Sequence, residues 1–260
     1  MKTTYGITSP LTASPGVRTA QRKLIRAKFL RPGQDDSVYG PETARAAAQA
    51  HWELGFPPAL AHAPVYGEVL DNVLTAWLKD GTLPAGYAAR RKKRLAMRAL
   101  GQKALAWLRP HVGDTEQPRG SNRVSWASIW YGLIGPWCAM GLTRALVEAG
   151  STAFKRGVRY ASVTYIVQDA INAQNGLTRV LYAVAQGDLV CFDWNGDGTY
   201  DHVEIVDEPP AGLSGGAVFT TIGCNTSFDD TGDQSNGGAC AAKTRTILGG
   251  GRTIFVRVLR

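Results

Sequence analysis

The order of two hydrophobic periods along the chain constrains its fold more than any other feature. Through much of residues 14–150, apolar side chains recur at three- and four-residue steps, which predicts amphipathic helices. After residue 187, short apolar runs bounded by glycine, asparagine and aspartate predict strands at 188–193, 202–207, 218–222 and 253–259. A helical hairpin is expected between the two regions, at about 151–185. Helices followed by neighbouring strands predict an α+β fold with an antiparallel sheet.

Residues 14–80 have the pattern of a small helical module with a partial internal repeat. The sequence Val-Tyr-Gly occurs at 38–40 and again at 65–67, and each time a helical pattern follows. The pattern Gly-Val-x-x-x-Gln-x-x-Leu from Gly16, followed by these two turns, resembles the three-helix peptidoglycan-binding module of wall hydrolases. The resemblance implies a binding domain at 1–84 whose ligand is bacterial peptidoglycan. The alternative is a helical accessory domain without a ligand of its own.

Positive charge is concentrated in the first part of the chain. The net charge is +8, and residues 1–112 hold 17 basic and 7 acidic side chains, against 12 and 14 in the remainder. The run Arg90-Arg91-Lys92-Lys93-Arg94 opens a predicted basic helix within a linker region at 85–112. Such asymmetry predicts contact with a polyanion, which includes nucleic acid, a membrane surface and the anionic polymers of a cell wall. Because no zinc-finger, RNA-binding or zipper pattern accompanies the charge, nucleic acid is not the expected partner.

Neither a membrane span nor an export signal is visible. No apolar run approaches the ~18 residues that cross a bilayer. Residues 1–17 contain one lysine and no apolar core of the kind found in secretory signals. The sequence therefore predicts synthesis in a cytoplasm and no stable membrane insertion.

A cysteine stands at the start of a predicted helix. Gly135-Pro136 interrupts the preceding structure, and from Cys138 apolar residues recur with helical spacing up to Gly150. The free amides and the dipole at a helix N-terminus favour a thiolate there. A base is then required, and His202 begins a strand directly after a tight acidic turn. The other histidines are expected on the surface or in packing roles; they are His51, His62 and His111.

The remaining cysteines have no CxxC spacing, so a structural zinc site is not expected. Cys191 lies in an apolar run and is predicted to be an inert core thiol. Cys224 and Cys240 flank a loop rich in glycine, asparagine and aspartate, and the sequence leaves open whether they form a disulfide.

Several motifs between about 110 and 260 resemble, in order, the CHAP family of cysteine- and histidine-dependent amidohydrolases and peptidases that cut peptidoglycan. The matching segments are Thr115-Glu116-x-Pro-x-Gly-Ser-Asn122, Trp130-Tyr131-Gly132, Pro136-Trp137-Cys138-Ala139-Met140, Gly187-Asp188-Leu189-Val190, Asp201-His202-Val203-x-Ile205-Val206 and Asn225-Thr226. The resemblance implies a papain-like catalytic domain at 113–260. It makes Cys138 the nucleophile, His202 the base and Asn225 the residue that orients the imidazole.

The orienting residue departs from the family pattern. The family often has Glu-Gly-Asn where this chain has Gly223-Cys224-Asn225, so the usual carboxylate is missing. Glu204 is the second choice, because alternate residues of a strand share a face and Glu204 lies two positions after His202, where the family more often has glycine.

The acyl-enzyme mechanism also requires a hydrogen-bond donor to the oxyanion. The backbone amide of Cys138 is the natural donor, and such a donor is typically worth ~3 kcal/mol.

Two further groups of side chains have candidate roles. Glu116 and Asn122 either line the cleft or only cap the turn, and Trp137, a bulky anchor before the helix, is a further candidate cleft residue. The turn between the first and second predicted strands, 188–193 and 202–207, has the spacing of a calcium loop, with candidate ligands Asp193, Asn195, Asp197 and Asp201. The alternative is an Asx-rich turn, and the thiolate chemistry itself requires no cofactor.

Together these features predict a two-domain peptidoglycan hydrolase that looks like a phage endolysin. It would be made in the host cytoplasm and reach the wall after a separate protein permeabilises the membrane. Whether it is an N-acetylmuramoyl-L-alanine amidase or an endopeptidase of the peptide stem or cross-bridge stays open, because both reactions are acyl transfers to the same thiolate. The alternatives are a non-catalytic wall-binding or virion structural protein, and a nucleic-acid-binding protein.

Overall fold

The computed structural model describes residues 4–8, 10–57, 60, 63–181, 184–229 and 232–260. Contacts divide the chain into two compact units. The first runs to Arg94 and includes Leu181, and the second contains the rest of the chain from Leu95 onward. The division falls within helix α4 (Tyr87–Leu108). The sequence predicts that the first domain ends at residue 84 and that a linker extends to residue 112. The helical pattern continues through this region, so composition alone does not mark the boundary.

Three helices of the first unit form where the apolar pattern predicts them. They are α1 (Pro15–Arg26), α2 (Pro41–Leu54) and α3 (Glu68–Asp80). The Ser14 hydroxyl caps α1 by accepting a hydrogen bond from the Val17 amide at 3.2 Å. Gly55 and Gly81 end α2 and α3 in the left-handed conformation, which glycine adopts without a side-chain clash.

The two Val-Tyr-Gly turns play the same structural role. Gly40 and Gly67 are the extended residues that immediately precede α2 and α3. Tyr39 and Tyr66 are both buried in the core of the unit. The Tyr39 hydroxyl donates to the carbonyl oxygen of Pro64 at 3.1 Å, and the Tyr66 hydroxyl donates to the Asp71 carboxylate. Each ring is therefore buried while its hydroxyl has a hydrogen-bond partner. The repeat seen in the sequence is therefore a repeat of structure.

The second unit contains helices and one antiparallel sheet, which confirms the α+β class. After α4 come a π-helical turn at Ser125–Ile129, α5 (Cys138–Glu148) and α6 (Val163–Ile171). The described strands are β1 (Leu177–Val180), β2 (Leu189–Phe192), β3 (His202–Glu208), β4 (Val218–Thr226), β5 (Ala239–Thr246) and β6 (Thr253–Val258). Their order in the sheet is β1-β6-β2-β3-β4-β5.

Two strands depart from the sequence prediction. The helical hairpin expected at 151–185 is wrong in its second half, where β1 pairs with β6. Strand β5 was not predicted, because its segment is rich in alanine, includes a lysine and an arginine, and contains no branched apolar residue. The segment is a strand because it is hydrogen-bonded to β4, although its residues have little intrinsic preference for strands.

The sheet is buried on both faces in the second unit. Helix α5 packs against β3 and β4 on one face, within a core that includes Trp137, Leu142 and Val203. A second apolar cluster, with Phe192 and Phe255 among its members, covers the opposite face. Double-sided burial explains why β2 is a continuous apolar run rather than an alternating one. Among the described residues, no helix combines the length and the apolar character needed to cross a membrane.

Candidate active site

Cys138 is the first residue of α5 and is almost completely buried. The residue before it, Trp137, provides no side-chain cap; its backbone carbonyl accepts from the Gly141 amide at 2.9 Å. The Trp137 indole is buried and donates to a carboxylate oxygen of Glu116 at 3.0 Å. This anchoring holds the start of α5 in place, with the Cys138 amide among those at the helix N-terminus that lack a partner within the helix.

Close packing of α5 on the sheet depends on a glycine one turn after the cysteine. A Cβ atom at Gly141 would lie 2.6 Å from the sulfur of Cys224, which is on β4, and 3.3 Å from Cζ3 of Trp126. A residue larger than glycine would therefore push the helix away from the sheet. The contact places the N-terminal turn of α5 directly against β4.

His202 is the first residue of β3 and is fully buried. Its Nε2 atom lies 3.1 Å from Oε1 of Glu204. Because a carboxylate only accepts hydrogen bonds, this contact places a proton on Nε2. The other ring nitrogen, Nδ1, has no hydrogen-bond partner that satisfies normal geometry among the described residues. Nδ1 is therefore available to the Cys138 thiol.

The pKa of His202 is raised to about 9. Burial alone would lower it, because desolvation disfavours the charged ring. Interactions with Cys138 and Glu204 outweigh burial, since both partners favour the imidazolium. A histidine with this pKa is protonated at neutral pH, so the ring next to Cys138 and Glu204 is an imidazolium.

Glu204 is fully buried, and its carboxylate contacts three side chains, those of His202, Thr221 and Arg245. The Thr221 hydroxyl donates to Oε2 at 2.6 Å, and Arg245 Nε donates to the same oxygen at 2.9 Å. Arg245 Nη2 also donates to Oε1, which makes the ion pair bidentate. Burial raises the pKa of Glu204, but Arg245 and then His202 lower it to about 2. The carboxylate is therefore ionised throughout the neutral range.

A glycine on the neighbouring strand makes room for this carboxylate. Glu204 and Gly223 are register partners across β3 and β4. A Cβ atom at Gly223 would lie 2.4 Å from Oε1 of Glu204. Gly223 is also the position at which the CHAP pattern often has glutamate, and position 204 is where it more often has glycine. The structure thus places the carboxylate on β3 and the glycine on β4.

Asn225 is buried on β4, but its amide is directed to a loop. Its Nδ2 atom donates to the carbonyl oxygen of Ser235 at 3.2 Å and to Oδ1 of Asn236 at 3.0 Å. Its own Oδ1 has no hydrogen-bond partner among the described residues, and none of its described hydrogen bonds reaches His202. The residue has φ of 57°, in the left-handed region. The structure therefore brings together Cys138, His202 and Glu204, and leaves the first-choice orienting residue outside that contact.

Arg245 and Thr221 were missed by sequence reasoning. Arg245 lies on β5, the strand that was not predicted, and its guanidinium carbon is 5.2 Å from the ring centre of Trp194. Its remaining Nη1 atom donates to Gln234 Oε1 at 2.8 Å. The sequence pattern that could have indicated a strand here is the alternation of Lys243 and Arg245 with smaller residues. Such alternation is typical of an exposed strand face, whereas both side chains are buried in the structure.

The candidate cleft residues have different positions. Glu116 is buried and supports Trp137, as described above, so its carboxylate is part of the anchor of α5. Asn122 has φ of 56°, and its backbone carbonyl accepts from the Ser128 hydroxyl at 2.5 Å. The side-chain oxygen of Asn122 is buried without a hydrogen-bond partner among the described residues.

The acidic turn between β2 and β3 is a network of Asx turns. Asp193 accepts from the amides of Gly196 at 2.7 Å and Gly198 at 3.1 Å. The other candidate calcium ligands accept from backbone amides in the same way: Asn195, Asp197 and Asp201. Within the described ranges, no group of three or more histidine, cysteine, aspartate or glutamate residues is placed to hold a metal ion. These hydrogen bonds are those expected of the Asx-rich alternative, and calcium binding stays a prediction.

The remaining histidines and cysteines are in packing positions where the structure describes them. His51 is buried, with Nδ1 2.9 Å from the carbonyl oxygen of Ala47. His111 contacts Asp114 at 2.8 Å and packs on Trp126, whereas His62 lies outside the described residues. All four cysteines are free and buried. Burial raises the pKa of the Cys191 and Cys224 thiols, and the second is also raised by its contact with Cys240.

Comparison of the chain with protein-family models, with curated proteins and with solved structures found no match.

Proposed function

We propose that the protein is a cysteine-dependent amide hydrolase that cleaves bacterial peptidoglycan. Cys138 is the nucleophile, His202 transfers the proton, and Glu204 orients the imidazole in place of Asn225. The observation on which the proposal rests is the buried series Cys138, His202 and Glu204, in which the thiol is at a helix N-terminus and the imidazole is hydrogen-bonded to a carboxylate. Arg245 is a positioning residue that holds Glu204.

The chemistry proceeds in two acyl transfers. The thiolate of Cys138 attacks the amide carbonyl carbon, and the imidazolium of His202 gives its proton to the nitrogen as the C–N bond breaks, which releases an amine and leaves a thioester. The neutral imidazole then takes a proton from water, and the oxygen of that water attacks the thioester carbon. The C–S bond breaks to give a carboxylic acid and the thiolate. The Cys138 amide donates to the oxyanion in both steps.

The substrate assignment is supported by sequence resemblance rather than by the thiolate chemistry itself. The segments around Cys138 and His202 resemble the CHAP family, and the two Tyr-Gly turns resemble a peptidoglycan-binding module. We therefore propose a papain-like catalytic domain and a helical wall-binding domain, in a protein of the phage endolysin type. It acts on the wall after release by a separate membrane-permeabilising protein. The bond cut is the muramoyl–L-alanine amide or a peptide bond of the stem or cross-bridge.

Mass spectrometry of digested peptidoglycan tests the proposal. Purified walls are incubated with the wild type, with Cys138→Ser and with Cys191→Ala, a matched control that removes a buried thiol outside the contact with His202. We expect fragments with new N-terminal amines from the wild type and the control, and none from Cys138→Ser. A new L-alanine N-terminus identifies an amidase, and any other new N-terminus identifies an endopeptidase.

Two results would contradict the proposal. Equal release by Cys138→Ser and the wild type would exclude the thiolate mechanism. No release by a folded wild type that still sediments with walls would favour the non-catalytic wall-binding protein.

A further inference from the structure

A positively charged cavity of about 380 Å³ lies in the second unit, in the segment that follows α5. Four basic side chains line it, and none of the lining side chains is acidic: Lys155, Arg156, Arg159 and Arg260. Thr152 and Tyr160 are also in the wall of the cavity. The volume is within the range of small-ligand sites, roughly 300–1,000 Å³. The combination of size and charge indicates an anionic ligand.

One of the four cations already has a carboxylate partner outside the cavity lining. Arg159 binds Asp169 through two nitrogens, with Nε 3.0 Å from Oδ2, and its guanidinium carbon is 4.9 Å from the ring centre of Tyr165. The hydrogen bond from Arg159 is the main reason that the pKa of Asp169 is lowered to about 2. Asp169 therefore stays ionised, holds Arg159 in place and neutralises one positive charge.

The other basic side chains make no ion pair within the part of the chain that the structure describes. Arg156 lies over Trp130, with 5.7 Å between its guanidinium carbon and the ring centre. Its Nη2 atom is also close to Gly132, where a Cβ would lie 3.2 Å away. The Arg156 guanidinium is thus held by packing and retains an uncompensated charge. Lys155 and Arg260 are exposed beside it.

We propose that this cavity binds a phosphate group of a phosphodiester-bearing cell-wall polymer. The inference rests on the proposed function, because binding in this cavity would give the catalytic unit its own contact with the wall. Guanidinium groups bind phosphate oxygens through paired hydrogen bonds, and uncompensated cations such as Lys155 and Arg156 match a polymer whose charge repeats along its length. Helix α5 has 11 residues and so spans about 16 Å, with Cys138 as its first residue and the segment that lines the cavity following its last residue.

The test measures binding of the full-length protein to a purified glycerol-phosphate polymer at several salt concentrations. All proteins carry Cys138→Ala, so that no wall material is cut. Lys155→Ala/Arg156→Ala removes two charges from the cavity, and Lys103→Ala/Arg179→Ala removes two exposed charges elsewhere on the same unit. Polyglutamate of similar length serves as the carboxylate probe. Because all four positions are exposed, each pair is expected to fold, which circular dichroism checks.

We expect the cavity pair to lose about tenfold or more in affinity for the phosphate polymer, with a shallower dependence on salt, because fewer counterions are exchanged. The control pair should bind as the parent does. Equal affinity of the cavity pair and the control pair would overturn the site, and an equal loss toward polyglutamate would overturn the phosphodiester assignment. Hydrolysis of polymer-stripped walls by the wild type is measured separately, so that failure of the proposed function is distinguished from failure of this site.

Discussion

The Oε1 atom of Glu204 lies 3.1 Å from the Nε2 atom of His202, two residues earlier on the same strand. Both side chains are on one face of β3 because alternate residues of a strand point the same way. The same carboxylate binds Arg245 from β5 and Thr221 from β4. One side chain thus connects the imidazole to three strands of the sheet.

The pH dependence of activity should depend on Glu204. The pKa of His202 is raised to about 9, so the imidazolium persists at neutral pH and is lost as the pH rises through that value. The raised pKa also contributes stability that is complete below the unfolded value near 6.5 and is lost as pH rises through the folded value. In Glu204→Gln the carboxylate no longer favours the charged ring, so the alkaline limb of kcat/KM should move to lower pH. Glu208→Gln, at the exposed end of β3, is the matched control.

Profiles of kcat/KM against pH on a soluble peptidoglycan fragment would measure this shift. An alkaline limb at the same pH in wild type and Glu204→Gln would contradict the role of Glu204.

Gly223 should tolerate a side chain only when Glu204 is removed. Alanine at 223 would bring a Cβ to 2.4 Å from Glu204 Oε1, so Gly223→Ala should lower both the melting temperature and kcat. Cross-strand partners have Cβ atoms roughly 4.5–5.5 Å apart, so a glutamate at 223 can place a carboxylate near the same point. The double variant Glu204→Gly/Gly223→Glu should therefore be more active than Glu204→Gly alone. No recovery in the double variant, with its fold intact, would show that the carboxylate must come from β3.

Arg245 should stabilise the fold through the charge of Glu204. Arg245→Met leaves a buried carboxylate without its cation, a change that typically costs about 3–5 kcal/mol. Glu204→Gln/Arg245→Met removes both charges, so its loss of unfolding free energy should be smaller than the sum of the two single losses. Denaturant unfolding of the four proteins measures the coupling. Additive losses would mean that the ion pair does not couple the two residues.

Removal of the Asn225 side chain should leave the alkaline limb of the kcat/KM profile at the same pH. Its amide donates to Ser235 and Asn236, and the residue has a positive φ, so Asn225→Gly removes the side chain without adding backbone strain. We expect a lower unfolding temperature, because the loop that contains Ser235 and Asn236 loses its contacts with residue 225. The alkaline limb of kcat/KM should stay at the same pH. A shift of the limb as large as that of Glu204→Gln would instead restore Asn225 as the orienting residue.

The positions of α1, α2, α3 and α5 were predictable because helical periodicity is a local property of the chain. The turn before α5 and the cysteine at its first residue follow from neighbouring residues alone. Strand β5 was not predictable in the same way, because its alanine-rich segment becomes a strand by pairing with β4. Arg245 was missed with it.

The sequence by itself determined that His202 and Glu204 share one face of β3 and that a cysteine stands at a helix start. Only the tertiary structure decided which polar residue contacts the imidazole. That choice depends on the register of β3 and β4, which sets Glu204 opposite Gly223, and on β5, which delivers Arg245 to the same carboxylate. These contacts join residues up to 41 positions apart, and burial makes an unpaired carboxylate costly, so packing selects the arrangement in which the Glu204 carboxylate has partners.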